Sequence, residues 1–177
     1  MNGVSARYST IAIWLHWITA IILIYMLFWG EGLIKAQGAA VPTNPNLHAS
    51  LGITILILAA LRLTWRLMNP PPADVLMPAW QRTASHALHW LFYAAMILIP
   101  LSGMAALDRS IAGKHPEFAN LTFFGLFTIP HYPLSWFGAA HGLMTNITIG
   151  LLILHVGAAL KHQFIDRDGL LKRMSPL

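Results

Sequence analysis

Four long apolar runs divide the chain, at roughly residues 11–29, 47–67, 85–107 and 135–162. Each is long enough, at ~1.5 Å per residue in a helix, to cross a ~30 Å hydrocarbon core or most of it. The polar stretches between them carry the expected stop and start signals. Ser9 or Thr10 is placed to cap the first run, and Asn46 the second. Asn69-Pro70-Pro71-Pro72 ends the second, because proline cannot continue a helix. Pro100 and Gly103 predict a kink in the third, tolerable in a bundle whose neighbours satisfy the freed carbonyl. Arg62 and Arg66, spaced i,i+4 at the end of the second run, can snorkel to headgroups.

The connection from Asp108 to Ala140 holds Phe118, Phe123, Phe124, Phe127, Tyr132, Trp136 and Phe137. So many aromatic rings predict an amphipathic helix lying along the interface. The pattern predicts an all-α integral membrane protein, a bundle of four transmembrane helices with an interfacial helix between the third and fourth. No internal repeat and no soluble domain are visible, so residues 1–177 read as one membrane domain. The first run also has signal-peptide features, with Arg7 before it and Ala-rich sequence after Lys35. Its length and the His16-Trp17 interruption favour a span.

Composition agrees. The chain is 56% hydrophobic and 10% charged, against ~25% charged in a soluble domain, and its mean hydropathy is +0.61. The pI near 10.0 does not point to nucleic acid, because the basic residues form no reading surface. They sort by side of the membrane instead. With the N-terminus inside, Arg7, Arg62, Arg66, Arg82, Lys161, Arg167, Lys172 and Arg173 are cytoplasmic, and Lys35, Arg109 and Lys114 are outside. That bias predicts both termini in the cytoplasm. The absence of cysteine excludes disulfides, iron–sulfur clusters and thiolate haem ligands.

Nine histidines are the main chemical clue. His141 and His155 bracket an apolar stretch of the fourth span, 155 − 141 = 14 residues apart. That is almost four helical turns, so both imidazoles leave one face about 21 Å apart along the axis. Ionisable residues inside a span are candidates for function, and haem is the cofactor that takes axial histidine. Alternating span direction puts His16 level with His155 near the cytoplasm and His48 level with His141 near the outer face. A lone histidine at such a depth reads as an anchor or core residue; two level pairs read as ligands for two haems between facing helices. Two imidazoles on one iron leave no open position, which favours electron transfer over oxygen chemistry. Gly52, Gly142, Gly150 and Gly157 offer room for the macrocycles or for close helix packing. His86, His89 and His162 lie near the cytoplasmic face. They are suited either to haem propionates or to a quinone head group that needs a proton near neutral pH. His115 and His131 read as solvated residues of the outer connection. Arg7, Arg62, Arg66 and Lys161 are alternatives as propionate partners or lipid anchors.

Tyr8-Ser9, His16-Trp17, Asn46-Leu47-His48, Gly52, Arg62, Arg66-Leu67, Ser85-His86-Ala87-Leu88-His89, Pro100-Leu101-Ser102-Gly103, and His141, His155 and His162 together resemble the bacterial cytochrome b561 family. The resemblance spans nearly the whole chain, including Phe124-Gly125-Leu126 and Pro130. It implies a four-helix bundle of the bacterial inner membrane with two b-type haems, their ligands falling on His16, His48, His141 and His155. The best-understood branch implies an oxidoreductase that passes electrons from superoxide at the outer haem to ubiquinone, with quinone-binding histidines falling on His89 and His162. The outer loops carry Lys35, Arg109 and Lys114 against Glu31, Asp108 and Glu117, a net of zero, so attraction of an anion depends on a local basic funnel with Arg109 and Lys114 at one edge. No side chain is expected to do covalent chemistry. Two further functions are compatible with the sequence: an electron-carrying subunit or partner of another redox protein, and a histidine-lined metal transporter or sensor without haem.

Overall fold

A computed structural model describes residues 7–34, 43–75, 77–106, 118, 120–130 and 137–176. Four helices, each long and apolar enough to cross a membrane, dominate it. Helix α1 spans Thr10–Trp29 and runs into a 3-10 turn, Gly30–Leu33. Helix α2 spans Pro45–Met68, α3 Ala79–Ala106 and α4 Phe137–Lys161. Helix α2 packs between α1 and α3, α3 packs on α4, and α4 returns to α1, closing the bundle.

The helix starts follow capping chemistry. Ser9 caps α1 by accepting a hydrogen bond from the Ala12 amide at 3.3 Å. The cap of α2 is Asn44, not Asn46: its side chain accepts from the Leu47 amide at 3.0 Å, and Pro45 occupies the first turn, where its missing N–H costs nothing. Asn46 instead accepts from the Thr122 amide at 2.8 Å and anchors the α3–α4 connection. Helix α3 begins at Ala79, ahead of the expected Ser85, because the Pro78 carbonyl accepts from both Gln81 and Arg82 amides and nucleates the first turn there. Pro100 lies within α3, as expected.

Between α3 and α4 the described backbone is not the expected interfacial helix. Strands β1 (Thr122–Phe123) and β2 (Phe127–Thr128) form an antiparallel hairpin. Phe124 and Gly125 take φ values of 46° and 77° at its tip, a turn that glycine makes without strain. Ser50 of α2 fastens the hairpin, donating to the Thr122 carbonyl and accepting from the Phe124 amide. Asp108, Arg109, Lys114, His115, Glu117, His131 and Tyr132 lie outside the described residues, as does Lys35.

The core is small, as expected where lipid covers the outer faces. Leu23, Ile55, Ala59, Tyr93 and Met96 form one buried cluster near the helix midpoints. Ile21 and Ile153 are among many large apolar side chains left outward. Buried Thr19 and Thr148 return their hydroxyls to carbonyls one turn back, which removes the cost of a polar group in an apolar medium. At the opposite end from the hairpin, the Tyr8 amide donates to the Arg173 carbonyl, and the Trp17 indole donates to the Met174 carbonyl at 2.8 Å. Buried Arg173 donates to the Ala73 carbonyl at 2.7 Å. The bundle therefore has a hairpin end and a terminal end.

Candidate functional site: two facing histidine pairs

At the hairpin end, His48 in the first turn of α2 faces His141 in the first turns of α4. Their ring centroids lie 6.2 Å apart, with planes tilted by 54°. His48 Nδ1 lies 2.9 Å from the Gly30 carbonyl, and His141 Nδ1 lies 2.9 Å from the Ile99 carbonyl. A carbonyl only accepts, so both Nδ1 atoms carry the proton and both Nε2 atoms keep a free lone pair. Ser102, itself buried, reinforces this arrangement: its hydroxyl donates to Ile99 at 2.7 Å and lies 3.1 Å from His141 Nδ1. Gly103 makes room for the ring, since a Cβ there would meet His141 Cε1 at 3.1 Å. A cavity of about 560 Å³ opens around the pair, within the range of cofactor sites. Leu121 and Ile129, flanking the hairpin, cover it, and Glu31 is the one charged residue lining it among the described residues.

At the terminal end, His16 of α1 faces His155 of α4 at 6.3 Å between centroids, with planes tilted by 57°. Here the Nδ1 neighbour differs in kind. An Arg62 guanidinium nitrogen lies 3.1 Å from His16 Nδ1, and only the guanidinium can donate. Arg62 also sits over the Tyr93 ring, and Arg66 over Trp90. His155 has further ring neighbours: His89 at 5.9 Å and Phe92 at 5.4 Å.

Both pairs fit haem iron. Two imidazoles that held one ion between them, with metal–nitrogen bonds of about 2 Å and each ring centre about 1.1 Å behind its nitrogen, would have centroids roughly 6.2 Å apart. The two observed separations, 6.2 and 6.3 Å, match that value. The hairpin-end pair has its Nε2 lone pairs free already. In the terminal-end pair, ligation through His16 Nε2 would require the proton on Nδ1, and the Arg62 hydrogen bond would then be lost.

The remaining histidines separate. His89 belongs to the surroundings of His155, whereas buried His162 is turned to acidic partners. Its Nδ1 lies 2.5 Å from Asp168 and 3.3 Å from Asp166, and Lys161 also reaches Asp166 at 2.5 Å. This happens because α4 ends in a π-helical turn, His162–Asp166, followed by Arg167 with a left-handed φ of 53°. The chain then folds back, and Asp168 accepts from the Leu170 amide at 2.9 Å. His162, Asp166 and Asp168 line a second cavity with Met77, Pro78 and Gln81. His86 points to Asp74 at 3.2 Å in an exposed pair. Sequence reasoning did not identify the Gly30 and Ile99 carbonyls, Ser102 or Asp168 as neighbours of the histidines. Backbone acceptors leave no mark in composition; the small Ser102-Gly103 pair opposite His141 was the one available signal.

A helical membrane protein with facing imidazoles at two levels carries the donor type that haem takes in membrane b-type cytochromes. The family model for prokaryotic cytochrome b561 matches residues 7–176, and the chain belongs to that family. It is 31% identical to cytochrome b561 homolog 2 of Escherichia coli, over 95% of this chain and 90% of the relative. It is 30% identical to the protein named "probable superoxide oxidase CybB" of Yersinia pestis, over 96% of each. Cytochrome b562 of Cereibacter sphaeroides is 25% identical over 94% of each. Membership makes this a membrane electron-transfer protein and implies binding of haem b.

Proposed function

We propose that this chain holds two haem b groups, one between His48 and His141 and the other between His16 and His155. In this reading it carries electrons across the bacterial inner membrane, from superoxide outside to ubiquinone near the cytoplasm. The observation that carries the reading is the pair of near-equal ring separations, 6.2 and 6.3 Å, at opposite ends of one bundle. When bound, each haem would supply a reversible one-electron couple.

The protein's part is positional. His48 and His141 present Nε2 because Gly30 and Ile99 hold the Nδ1 protons. Leu121 and Ile129, flanking the hairpin, add apolar side chains to the wall of their cavity. Orientation with the terminal end in the cytoplasm is supported by Arg62, Arg66, Lys161, Arg167, Lys172 and Arg173, all at that end. Ubiquinone reduction consumes protons as well as electrons. His162, with Asp168 accepting from Nδ1, has Nε2 left to hold or give one at the terminal end. His89, beside His155, is the second histidine assigned to the quinone.

The similarity to a protein named as a superoxide oxidase supports superoxide as donor. The test supplies enzymatically generated superoxide to the purified, haem-loaded protein with a soluble ubiquinone. The expected result is haem reduction and quinol formation, both abolished by superoxide dismutase. Haem that only dithionite reduces would contradict the superoxide assignment and favour an electron carrier serving another redox protein.

A further inference from the structure

We infer that the two histidine pairs hold their haems at different potentials, the terminal-end site higher, with Arg62 and the Ile99–Ser102 acceptor pair as the residues that set the difference. The inference rests on the two-haem reading above and goes beyond it by giving the electron a downhill direction.

The partners of the ligand Nδ1 atoms differ between the two ends. At the hairpin end both ligands donate to backbone carbonyls at 2.9 Å. Ser102 adds a second oxygen 3.1 Å from His141 Nδ1. An acceptor on Nδ1 draws the proton away from the ring and makes Nε2 a stronger donor to the metal. A stronger donor favours the oxidised ion and lowers the potential.

At the terminal end the sign reverses. Arg62 reaches the Nδ1 edge of His16, within hydrogen-bond range at 3.1 Å. Ligation through Nε2 turns Nδ1 into a donor, so the hydrogen bond is lost. Arg62 also lies over the Tyr93 ring, half-buried where screening is weak, and this second contact does not depend on the bond to His16. Arg66 follows one turn later over Trp90. One-electron reduction removes a unit of positive charge from a site, so fixed cations favour the reduced form and raise the potential. An electron given up by the hairpin-end site, which is thereby oxidised, is taken by the terminal-end site, which is reduced. Arg62 and Ser102 act through the ligands and are positioning residues.

The test is spectroelectrochemical titration of the haem-loaded protein, read as midpoint potentials. The wild-type chain should show two waves. His141→Ala, which empties the hairpin-end site, should leave the higher wave; His16→Ala should leave the lower. Arg62→Gln should move the higher wave down by about 59 mV, a tenfold change in its reduced-to-oxidised ratio for one electron, and Arg62→Lys should restore it. Ser102→Ala should raise the lower wave and spare the other. Survival of the lower wave in His141→Ala, or an Arg62→Gln protein with unmoved potentials, would overturn the inference while leaving two haems in place. A wild-type chain binding one haem would overturn the two-haem reading itself.

Discussion

His48 and His141 face each other with ring centroids 6.2 Å apart, while each Nδ1 is tied at 2.9 Å to a backbone carbonyl, Gly30 after α1 for one and Ile99 within α3 for the other. The rings are thus fixed from behind before any cofactor arrives. His48→Ala or His141→Ala should each remove the hairpin-end haem and spare the terminal-end one. Haem quantified per chain should fall from two to one, with the far-ultraviolet circular dichroism of the bundle retained. Loss of both haems from a fully helical protein would contradict independent sites.

His155 has two histidine neighbours, His16 at 6.3 Å and His89 at 5.9 Å. The proposed ligand is His16. His89→Ala should therefore keep two haems per chain, and His16→Ala should keep one. The reverse pattern would transfer the ligand role to His89.

Gly103 gives a steric prediction. A Cβ there would stand 3.1 Å from His141 Cε1 and 3.3 Å from Nδ1. The neighbour is a ring held by Ile99 and Ser102, so it has little freedom to yield. Gly103→Ala should cost about 1–3 kcal/mol of local packing and weaken retention of the hairpin-end haem; Gly103→Leu should abolish it. Full haem content in Gly103→Leu, measured from the reduced-minus-oxidised spectrum, would show that the ring moves freely.

Much of the architecture was legible in the sequence because membrane spans are written in long apolar runs, and four such helices are present. The His141 and His155 spacing was legible for the same reason: a regular helix converts sequence distance into depth. Local signals were weaker. Asn44 and Asn46 are both good caps, and the choice between them was made by Pro45 and by the tertiary bond from Asn46 to Thr122. The aromatic connection predicts a helix only because rings crowd an interface in either structure. Phe124-Gly125, with two positive φ values, was the turn signal that marked the hairpin. The Ile99 carbonyl beside His141 and Asp168 beside His162 are products of packing and of the π-turn, and neither has a sequence spacing that announces it.

His162 tests the terminal-end chemistry. Buried against Asp168, it lies seven residues beyond His155 (162 − 155 = 7). His162→Ala should keep both haems and slow quinone reduction by about 100-fold, the lower range of general acid–base contributions. Asp168→Asn, which keeps the shape but removes the charge, should give a smaller loss in the same direction. An unchanged rate in His162→Ala would make this residue a structural pin for the folded-back tail.

The most direct measurement is haem content per chain of the purified wild-type protein, taken with a reduced-minus-oxidised spectrum. Two low-spin b haems per chain are predicted, one for each histidine pair. One haem would contradict the paired-site account, and none, in cells supplied with haem, would remove its basis.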